Sequence, residues 1–391
     1  MISVEEAQAL VLALAGPPQA ESVPLADAAG RWLTTPAIAL RDQPPFPASA
    51  MDGYAVTAAA PGDSFTVVGE ALAGHAFSGS VFPGEAVRIF TGAPVPQDAA
   101  RVVIQEDVIR AGDRITVKPG MDAGLHIRPQ GQDFRAGDTV TPRRLRPADL
   151  ALLASMNVPQ VNVARRPVVA IIPTGDELVQ PGETPRDDQI IASNGVALKA
   201  MAEEAGAVVR LLPIARDNEA ALGTVLGLAS GADLIVTIGG ASVGDHDLVA
   251  RVAGDMGFAP SFHKIAMRPG KPLMAGRFGD SLLMGLPGNP VSSVACAILF
   301  MLPLIRAMQG DPAPLPKPHR ATLAVDTGPT GPRTHYMRAR LDPGDGLPRI
   351  TPFDRQDSAL LSVLAQADAL LIRPMGDGPR RAGETVDFLP L

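Results

Sequence analysis

The chain has 391 residues, of which 46% are hydrophobic and only 4% aromatic, so we expect two to four domains with cores of Ala, Val, Leu and Ile. Glycine and proline number 39 each, which argues against a helical bundle and favours short strands joined by shaped turns. The net charge of −7 excludes a general basic surface for nucleic acid, and the single cysteine, Cys296, excludes an internal disulfide and a CxxC metal site.

The N-terminal stretch MISVEEAQALVLALAG combines an apolar run with acidic residues and lacks a basic leading segment. Ser3 and Glu6 have the spacing of a capping box, so the pattern predicts a helix over residues 3–15 rather than a signal peptide. A second helical pattern, RPADLALLASMNV, follows far along the chain. We therefore group residues 1–40 and 141–165 into one helical domain I.

Residues 41–140 are rich in Gly, Pro and short β-like runs such as SFTVVGE, EAVRIFTG, RVVIQEDVI and RITVKPG. This texture predicts a β-rich domain II, inserted between the two parts of domain I. Two of its turns carry charged residues: Asp52 lies in PPFPASAMDGYAV, and Arg128, Asp133 and Arg135 lie in RPQGQDFRAGD. Taken singly, each of these motifs is most simply a turn.

Residues 166–312 alternate apolar strands, namely PVVAIIPTG, VVRLLPIA, DLIVTIGG and SLLMGLPG, with helical patterns. Uninterrupted apolar strands separated by helices predict a doubly wound parallel sheet covered on both faces, which we term domain III. The most apolar segment, from Val291 to Ile305, is interrupted by polar residues and a proline, and we interpret it as a core helix too short to span a bilayer. Cys296 lies within it and is interpreted as a small buried hydrophobic residue.

The sequence pattern changes again after the linker GDPAPLPKPHR. Five short β-like runs follow, ATLAVDTG, HYMRARL, PRITPF, ALLIRP and ETVDFLPL. They predict a small C-terminal β-barrel or sandwich over residues 313–391, domain IV.

Ligands of open parallel sheets bind beyond the carboxyl ends of the strands, where the motif GLPGNP is expected. Pro287 and Gly288 permit a tight exit from the strand, Asn289 is a good N-cap, and Pro290 suits the first helical position. The helix N-terminus then offers free N–H groups and a partial positive charge to an anion. Without a ligand, the same residues would simply make a stable βα turn.

Carboxylates follow neighbouring strands at the same edge of the predicted sheet. Asp245 and Asp247 lie in GGASVGDHD, and Glu177 and Asp217 lie at the equivalent ends of other strands. Oxygen ligands of this kind suit Mg²⁺ shared with substrate phosphates, although Asp also has ordinary roles in turns. The six histidines form no H-E-x-x-H pattern, which disfavours a zinc site.

The loop HKIAMRPGKPLMAG brings Lys264, Arg268 and Lys271 together in an acidic protein. Basic groups beside acids would bind a substrate that carries both phosphate and metal. On spacing alone, a solvated charged loop explains the same residues equally well.

Eight motifs occur in an order that resembles one known family: FPASAMDGYAV, IFTGAPVP, RPQGQDFRAGD, IIPTGDELV, IIASNGVAL, TIGGASVGDHD, MRPGKPLMAG and GLPGNPVSS. The chain resembles the molybdenum-insertion proteins of molybdenum cofactor synthesis, the MoeA and gephyrin E-domain family. The resemblance implies an elongated homodimer of four-domain subunits with the active cleft between subunits, and the single cysteine suits a cytoplasmic location. It implies a Mg²⁺-dependent reaction that removes AMP from adenylylated molybdopterin and inserts molybdenum from molybdate.

The resemblance also implies roles for individual residues. The implied catalytic residues are Asp52, Thr91, Asp133, Glu177, Asp217 and Asp247, and the last three are also the implied metal ligands. The implied substrate-binding residues are Ser242, Lys264, Arg268, Lys271, Pro287, Gly288, Asn289, Pro290, Arg338 and Ser358. Many relatives carry lysine at the position of Arg268, and the larger guanidinium would change the grip on molybdate or phosphate.

Two other functions remain open. A molybdopterin adenylyltransferase shares the central domain but lacks the β-rich insertion and the C-terminal domain. A non-catalytic scaffold of the gephyrin type shares the domain set, but here no fused adenylyltransferase-like domain or long linker is visible. For a transferase, we expect contact with the adenylyltransferase and with molybdoenzyme maturation proteins, and neither nucleic acid nor membrane as a partner.

Overall fold

The computed structural model describes residues 1–240 and 248–391. The chain divides into two compact units: the first contains Met1–Glu21 and Ala164–Leu391, and the second contains Ser22–Val163. Two of the predicted site residues, Ser242 and Asp247, lie outside the described residues.

Helix α1, Val4–Leu12, begins at the capping box predicted from the sequence. The backbone N–H of Glu6 donates to Ser3 Oγ at 3.0 Å, and the backbone N–H of Ser3 donates to Glu6 Oε2 at 2.8 Å. The helix buries Val4, Ala7 and Val11, one apolar face, in the core of the α/β domain. The apolar face of this helix thus packs on a different core from residues 141–163, with which the sequence analysis groups it.

The second unit is built mainly from short strands. Its main sheet has the order β7-β4-β6-β5-β9-β8. Along β4, Tyr54 and Val56 belong to one apolar cluster and Ala55 to another, so the sheet is buried on both faces. This confirms the β-rich insertion. The elements of this part of the chain are β1 Ala20–Pro24, β2 Ala37–Ile38, β3 Ala48–Ser49, β4 Gly53–Val56, β5 Ser64–Ala71, β6 Glu85–Ile89, β7 Arg101–Ile104, β8 Val108–Ala111, β9 Arg114–Val117, β10 Ile127–Arg128, β11 Thr139–Val140, α2 Pro147–Ser155 and β12 Gln160–Ala164.

A separate apolar cluster in the second unit joins residues that precede the sheet to residues that follow it. Ala28 and Leu33 pack there with Phe134, Leu145 and Leu153. Helix α2 contributes Leu153 to this cluster and corresponds to the predicted pattern RPADLALLASMNV. The sheet is therefore inserted between two chain segments that share one small core.

Asp149 stabilises the start of α2 and is 3% exposed. Its carboxylate contacts Arg143 Nη2 at 2.7 Å and Arg146 Nε at 3.2 Å, and it accepts the backbone N–H of Arg146 at 2.8 Å. This backbone N–H is the largest cause of the lowered pKa of Asp149, and the two arginines lower it further. The carboxylate is thus held in its charged form in the folded protein.

We expect Asp149→Ala to lower the free energy of unfolding by about 2 kcal/mol, because the backbone N–H of Arg146 and two guanidinium groups lose a buried, charged acceptor. A lowered pKa stabilises the fold fully above the ordinary value of 3.8, and this contribution is lost as the pH falls through the lowered value. Urea unfolding at pH 7 and at pH 3 measures both effects. Asp138→Ala is the matched control, since exposed Asp138 also caps a backbone N–H, that of Arg135, at 2.8 Å. If both variants lost the same free energy of unfolding, the ion pairs of the buried Asp149 carboxylate would not contribute as proposed.

The α/β domain contains a sheet of order β16-β13-β17-β21-β20-β18. The first four strands of this order are parallel, and β20 and β18 are added antiparallel, each to the strand before it. In β13, Val169 and Ile171 face one apolar cluster while Ala170 and Ile172 face the other, which confirms a sheet covered on both faces. The elements are β13 Val168–Pro173, β14 Leu178–Val179, β15 Ile190–Ile191, α3 Asn194–Glu204, β16 Val208–Leu211, α4 Glu219–Leu228, β17 Leu234–Ile238, α5 Leu248–Asp255, β18 Phe258–Lys264, β19 Met267–Arg268, β20 Pro272–Phe278, β21 Ser281–Leu286, α6 Pro290–Cys296, a π-helical turn Ala297–Met301 and α7 Leu302–Met308.

Helix α6, the π-helical turn and α7 form one continuous helix from Pro290 to Met308. Among the described residues, this helix of 19 residues is the one long and apolar enough to cross a membrane, so the length argument made from the sequence was wrong. Phe300, Leu304 and Ile305 are fully buried in the α/β core, and 67% of the apolar window lies inside the protein. It packs as the predicted core helix.

The C-terminal strands form a closed barrel of order β23-β24-β22-β26-β25, because β25 also pairs with β23. Leu323, Ile350, Leu371 and Phe388 belong to its interior cluster. This confirms the predicted β-barrel, and β19 of the α/β domain pairs with β23. The elements are β22 His319–Leu323, β23 Thr334–Asp342, β24 Arg349–Pro352, α8 Leu361–Leu364, β25 Ala369–Arg373 and β26 Thr385–Pro390.

Candidate active site

A cavity of 970 Å³ lies at the carboxyl edge of the parallel sheet. It is formed by the segments that follow β13, β16, β17 and β21, together with the start of α3, as expected for an open α/β sheet. Six predicted site residues line it: Glu177, Asp217, Pro287, Gly288, Asn289 and Pro290. Other lining residues include Thr174, Ser193, Asn194, Gly239, Gly240, Arg251, Pro272 and Ala359.

The loops after β13 and β16 are fastened to each other. The backbone N–H of Asp176 donates to Asp217 Oδ2 at 3.3 Å, and the backbone N–H of Asp217 donates to Asp176 Oδ1 at 3.1 Å. Arg216 Nη1 adds hydrogen bonds to the carbonyls of Gly175, Asp176 and Leu178, at 3.3, 3.0 and 3.0 Å. Asp217 therefore shapes the cavity wall, and its Oδ2 already accepts one hydrogen bond, from the backbone N–H of Asp176.

Glu177 presents the least committed carboxylate of this wall. Its side chain is exposed and, within the described part of the chain, has no hydrogen bond or ion pair. The carboxylate folds back over Gly175, which has a φ of +145°. This backbone conformation favours glycine, whereas the flexible Glu177 side chain alone would not require it.

The turn GLPGNP leads into a helix at the position expected from its residues. Helix α6 begins at Pro290, and Asn289 occupies the extended N-cap position, although its side chain makes no capping hydrogen bond. Asn194 Nδ2 donates to the Gly288 carbonyl at 2.7 Å, which ties the turn to the start of α3. On the opposite side, the backbone N–H of Val291 donates to the Ser358 carbonyl at 3.0 Å. The helix N-terminus therefore offers an anion one donor fewer than the sequence predicts.

Lys264, Arg268 and Lys271 lie at the same sheet edge. Lys264 ends β18 and pairs with Pro272 at the start of β20, next to the carboxyl end of β21. All three basic side chains are exposed, and none has an ion-pair partner among the described residues. They are not part of the cavity lining, but Pro272, which follows Lys271 directly, is.

Arg268 connects this loop to the barrel, because it pairs with His335 in the β19–β23 ladder. Burial of His335, with a further contribution from Arg268, lowers the pKa of that imidazole to about 4. His335 is therefore neutral at physiological pH, and the positive charge at this junction belongs to the arginines.

Arg338 and Ser358, both predicted to bind substrate, do not line the cavity but hold the segment next to it. Arg338 is 1% exposed, and its guanidinium donates to the carbonyls of Asp357 at 2.9 Å and Leu360 at 3.4 Å. Burial lowers the pKa of Arg338. Ser358 supplies its carbonyl to α6, and the neighbouring Ala359 lines the cavity. The described contacts of Arg338 are thus with the protein itself.

In the second unit, Asp52 and Thr91 form one hydrogen-bonded pair. Asp52 Oδ1 accepts the backbone N–H of Thr91 at 2.8 Å and its hydroxyl at 2.7 Å. These two bonds, the backbone one first, lower the pKa of Asp52, so its half-buried carboxylate is ionised at neutral pH. The pairing joins the predicted motifs SAMDGYA and FTGAPVP.

A second cavity, of 530 Å³, lies in this unit and is lined by Asp133 and Arg128. Gly92, the neighbour of Thr91, lines it too, and its backbone N–H donates to the Ser49 carbonyl at 2.8 Å. The three predicted residues of the unit, Asp52, Thr91 and Asp133, therefore belong to adjoining segments. The full lining is Gln43, Pro44, Pro45, Phe46, Ala48, Gly92, Arg128, Gln132 and Asp133.

Sequence reasoning assigned no role to Asn194 and Arg251, which both line the first cavity. Asn194 lies within the motif IIASNGVAL just before a helical pattern, a position typical of capping, and that was the available signal. Arg251 forms an ion pair with Glu219 at 2.8 Å, which no sequence spacing indicates. Cys296 is fully buried, and burial raises the pKa of its thiol, as expected for a hydrophobic rather than nucleophilic cysteine.

Residues 1–240 and 248–391 contain no group of three His, Cys, Asp or Glu that could hold a metal ion. The predicted set combines Glu177 and Asp217 with Asp247, which lies outside the described residues. Two carboxylates at one cavity still fit Mg²⁺, which commonly uses one or two protein carboxylates and completes its shell with water and phosphate.

Comparison with known proteins covers nearly the whole chain. The family described as MoeA N-terminal region (domain I and II) matches residues 2–157, the family described as probable molybdopterin binding domain matches 170–307, and the family described as MoeA C-terminal region (domain IV) matches 320–391. The molybdopterin molybdenumtransferase of Nostoc sp. is 35% identical over 95% of this chain and 88% of its own. The protein named molybdopterin molybdenumtransferase 2 of Mycobacterium tuberculosis is 36% identical over 96% of both chains.

A solved structure of a molybdopterin biosynthesis MoeA protein from Pyrococcus horikoshii superimposes with a TM-score of 0.86 at 29% identity. It covers 100% of this chain and 99% of that chain. Fold, domain set and sequence thus agree over the full length, and the chain belongs to the MoeA family of molybdopterin molybdenumtransferases.

Proposed function

We propose that this protein inserts molybdenum from molybdate into adenylylated molybdopterin, in a Mg²⁺-dependent reaction that releases AMP. The observation that carries the proposal is the cavity at the sheet edge. There, Glu177 offers a carboxylate with no hydrogen bond or ion pair among the described residues, and the loop before Pro272 carries basic side chains with no ion-pair partner among them. A phosphorylated substrate needs both a cation site and positive side chains. The names of the relatives support the same assignment.

Glu177 and Asp217 would hold Mg²⁺ at this cavity, and Asp247 would be a third ligand. When bound, Mg²⁺ supplies charge screening at the phosphoanhydride that joins AMP to the pterin phosphate. Asp217 is already held by Asp176, so its carboxylate is oriented before a ligand arrives. Ser242 would contact the same substrate.

Lys264, Arg268 and Lys271 would bind the substrate's anionic groups, the phosphates and the molybdate oxyanion. Exposed groups without ion-pair partners lose no existing interaction when an anion binds. Arg268 offers a planar fork of donors, which favours a bidentate grip on an oxyanion.

Asp52, Thr91 and Asp133 would be the further catalytic residues of this reaction. We propose a homodimer in which the cleft lies between subunits, with domains I to IV spanning 1–40 plus 141–165, 41–140, 166–312 and 313–391. We also propose a cytoplasmic location, and transient contacts with the adenylyltransferase that supplies the substrate and with the maturation proteins that receive the product.

The test is to mix the purified protein with adenylylated molybdopterin, Mg²⁺ and molybdate and to measure AMP by chromatography. We expect AMP release that requires both Mg²⁺ and molybdate. A protein that instead consumes ATP with unmodified molybdopterin would be the preceding adenylyltransferase, and absence of molybdate-dependent AMP would overturn the proposal.

A further inference from the structure

The side chain of Gln356 uses its whole hydrogen-bonding capacity within the barrel. Its Oε1 accepts the backbone N–H of Arg338 at 3.0 Å and the Nε and Nη2 of the same guanidinium at 3.3 Å each. Its Nε2 donates to the carbonyls of Arg338 at 3.0 Å and Phe353 at 2.7 Å. The amide thus forms hydrogen bonds with both the backbone and the side chain of Arg338 in β23, and we call this set of hydrogen bonds the Gln356 clasp.

This clasp fixes the segment that follows β24. With its guanidinium held by Gln356, Arg338 donates to the Asp357 and Leu360 carbonyls, and the backbone N–H of Ala359 donates to Asp357 Oδ1 at 2.8 Å. The backbone N–H of Phe353 also donates to the Arg338 carbonyl at 3.0 Å. Residues 353–360 are therefore anchored to β23 at several consecutive points.

The anchored segment reaches the candidate active site. The Ser358 carbonyl accepts the backbone N–H of Val291 at the start of α6, and Ala359 lines the 970 Å³ cavity. Asn194 holds the same turn from the other side, through Gly288. The turn Pro287–Pro290 and the start of α6 are thus held from outside by hydrogen bonds to two different elements, in addition to the hydrogen bond from Ser293 Oγ to the Pro287 carbonyl.

We propose that Gln356 is a positioning residue, which acts through Arg338 and the segment 353–360 to hold the barrel side of the substrate cavity against the start of α6. Gln356 itself does not line the cavity. Its effect on turnover rests on the proposed function, whereas its effect on the Val291 hydrogen bond does not.

Three variants separate this role from general stability. Gln356→Leu removes every hydrogen bond of the amide, and Gln356→Glu keeps an acceptor for Arg338 but loses both donors. The matched control is Gln366→Leu, because Gln366 also accepts from a barrel arginine, Arg340 Nη2 at 2.9 Å, but on an exposed part of the barrel.

Hydrogen-exchange mass spectrometry gives the readout that does not depend on activity. We expect both Gln356 variants to exchange faster in peptides covering 353–361 and also in those covering 288–295, whereas the control does not. Faster exchange in 353–361 alone, with 288–295 unchanged, would overturn the proposal. Because Gln356→Glu retains part of the clasp, it provides a folded test if the leucine variant does not fold.

Steady-state kinetics give the second readout. For Gln356→Glu we expect the KM for adenylylated molybdopterin to rise about tenfold, the effect of one lost net interaction, with kcat within about threefold of the wild type. If Gln356→Glu lowered the fraction of active enzyme and the melting temperature but left KM unchanged, the role in positioning would be overturned. If the wild type released no AMP, the proposed function would fail while the exchange experiment would still test the clasp.

Discussion

Replacing Glu177 with glutamine is expected to lower the rate of Mg²⁺-dependent AMP release about 100-fold, the usual scale for losing one preorganised charged group. The carboxylate lines the cavity and has no partner in the described part of the chain, so the substitution removes charge without breaking a structural contact. The melting temperature should therefore stay unchanged. We also expect the Mg²⁺ concentration for half-maximal activity to rise, because an amide is a weaker ligand for this cation.

Glu183→Gln is the matched control for this prediction. Glu183 lies in the same loop, is exposed, and accepts the backbone N–H of Gln180 at 2.8 Å, but it does not line the cavity. We expect its activity and its Mg²⁺ dependence to match the wild type. AMP release titrated against Mg²⁺ compares the three proteins, and a Glu177→Gln enzyme with wild-type activity would remove this residue from the reaction.

The fold was predictable wherever burial on two faces dictates the residues. In β13 and β17 nearly every position is buried, so the strands are continuous apolar runs that sequence patterns identify well. The five barrel strands were predictable for a related reason, since each contributes apolar residues to one interior cluster. The order of eight motifs then identified the family, which no single strand or turn could have done.

What sequence could not provide is which core an apolar face joins. The face of α1 formed by Val4, Ala7 and Val11 is equally suited to either unit, and tertiary packing places it on the α/β core. The long helix likewise continues through Pro303, because the π-helical turn before α7 accommodates the missing N–H. Local signals that usually end a helix were overruled by burial.

The candidate site shows the same limit at single side chains. The sequence shows that Asp217 and Arg338 are charged. It does not show that the Asp217 carboxylate and the Arg338 guanidinium already form hydrogen bonds with neighbouring backbone atoms. Gln356 is uncharged and lies in no recognised motif, so its contribution becomes visible only when its five partner atoms are located in space. Residues that orient others are therefore the part of a site that sequence reasoning misses most readily.

Asp52 tests whether charge or turn geometry matters in the second unit. Asp52→Asn retains an amide oxygen that can accept both Thr91 hydrogen bonds, so we expect an unchanged melting temperature. It removes the negative charge, which the lowered pKa maintains at neutral pH in the wild type. If that charge handles a proton or an ion in the reaction, AMP release should fall about 100-fold.

Asp52→Ala removes both the charge and the acceptor, so it should lose the same activity and also melt at a lower temperature, because Thr91 is released. Asp63→Asn is the control, since Asp63 accepts the backbone N–H of Ala60 at 2.7 Å in an exposed turn of the same unit. Thermal melts and AMP release measured on all three variants distinguish the two roles. An Asn variant as active as the wild type, beside an inactive Ala variant, would show that Asp52 acts by holding Thr91 and that its charge is dispensable.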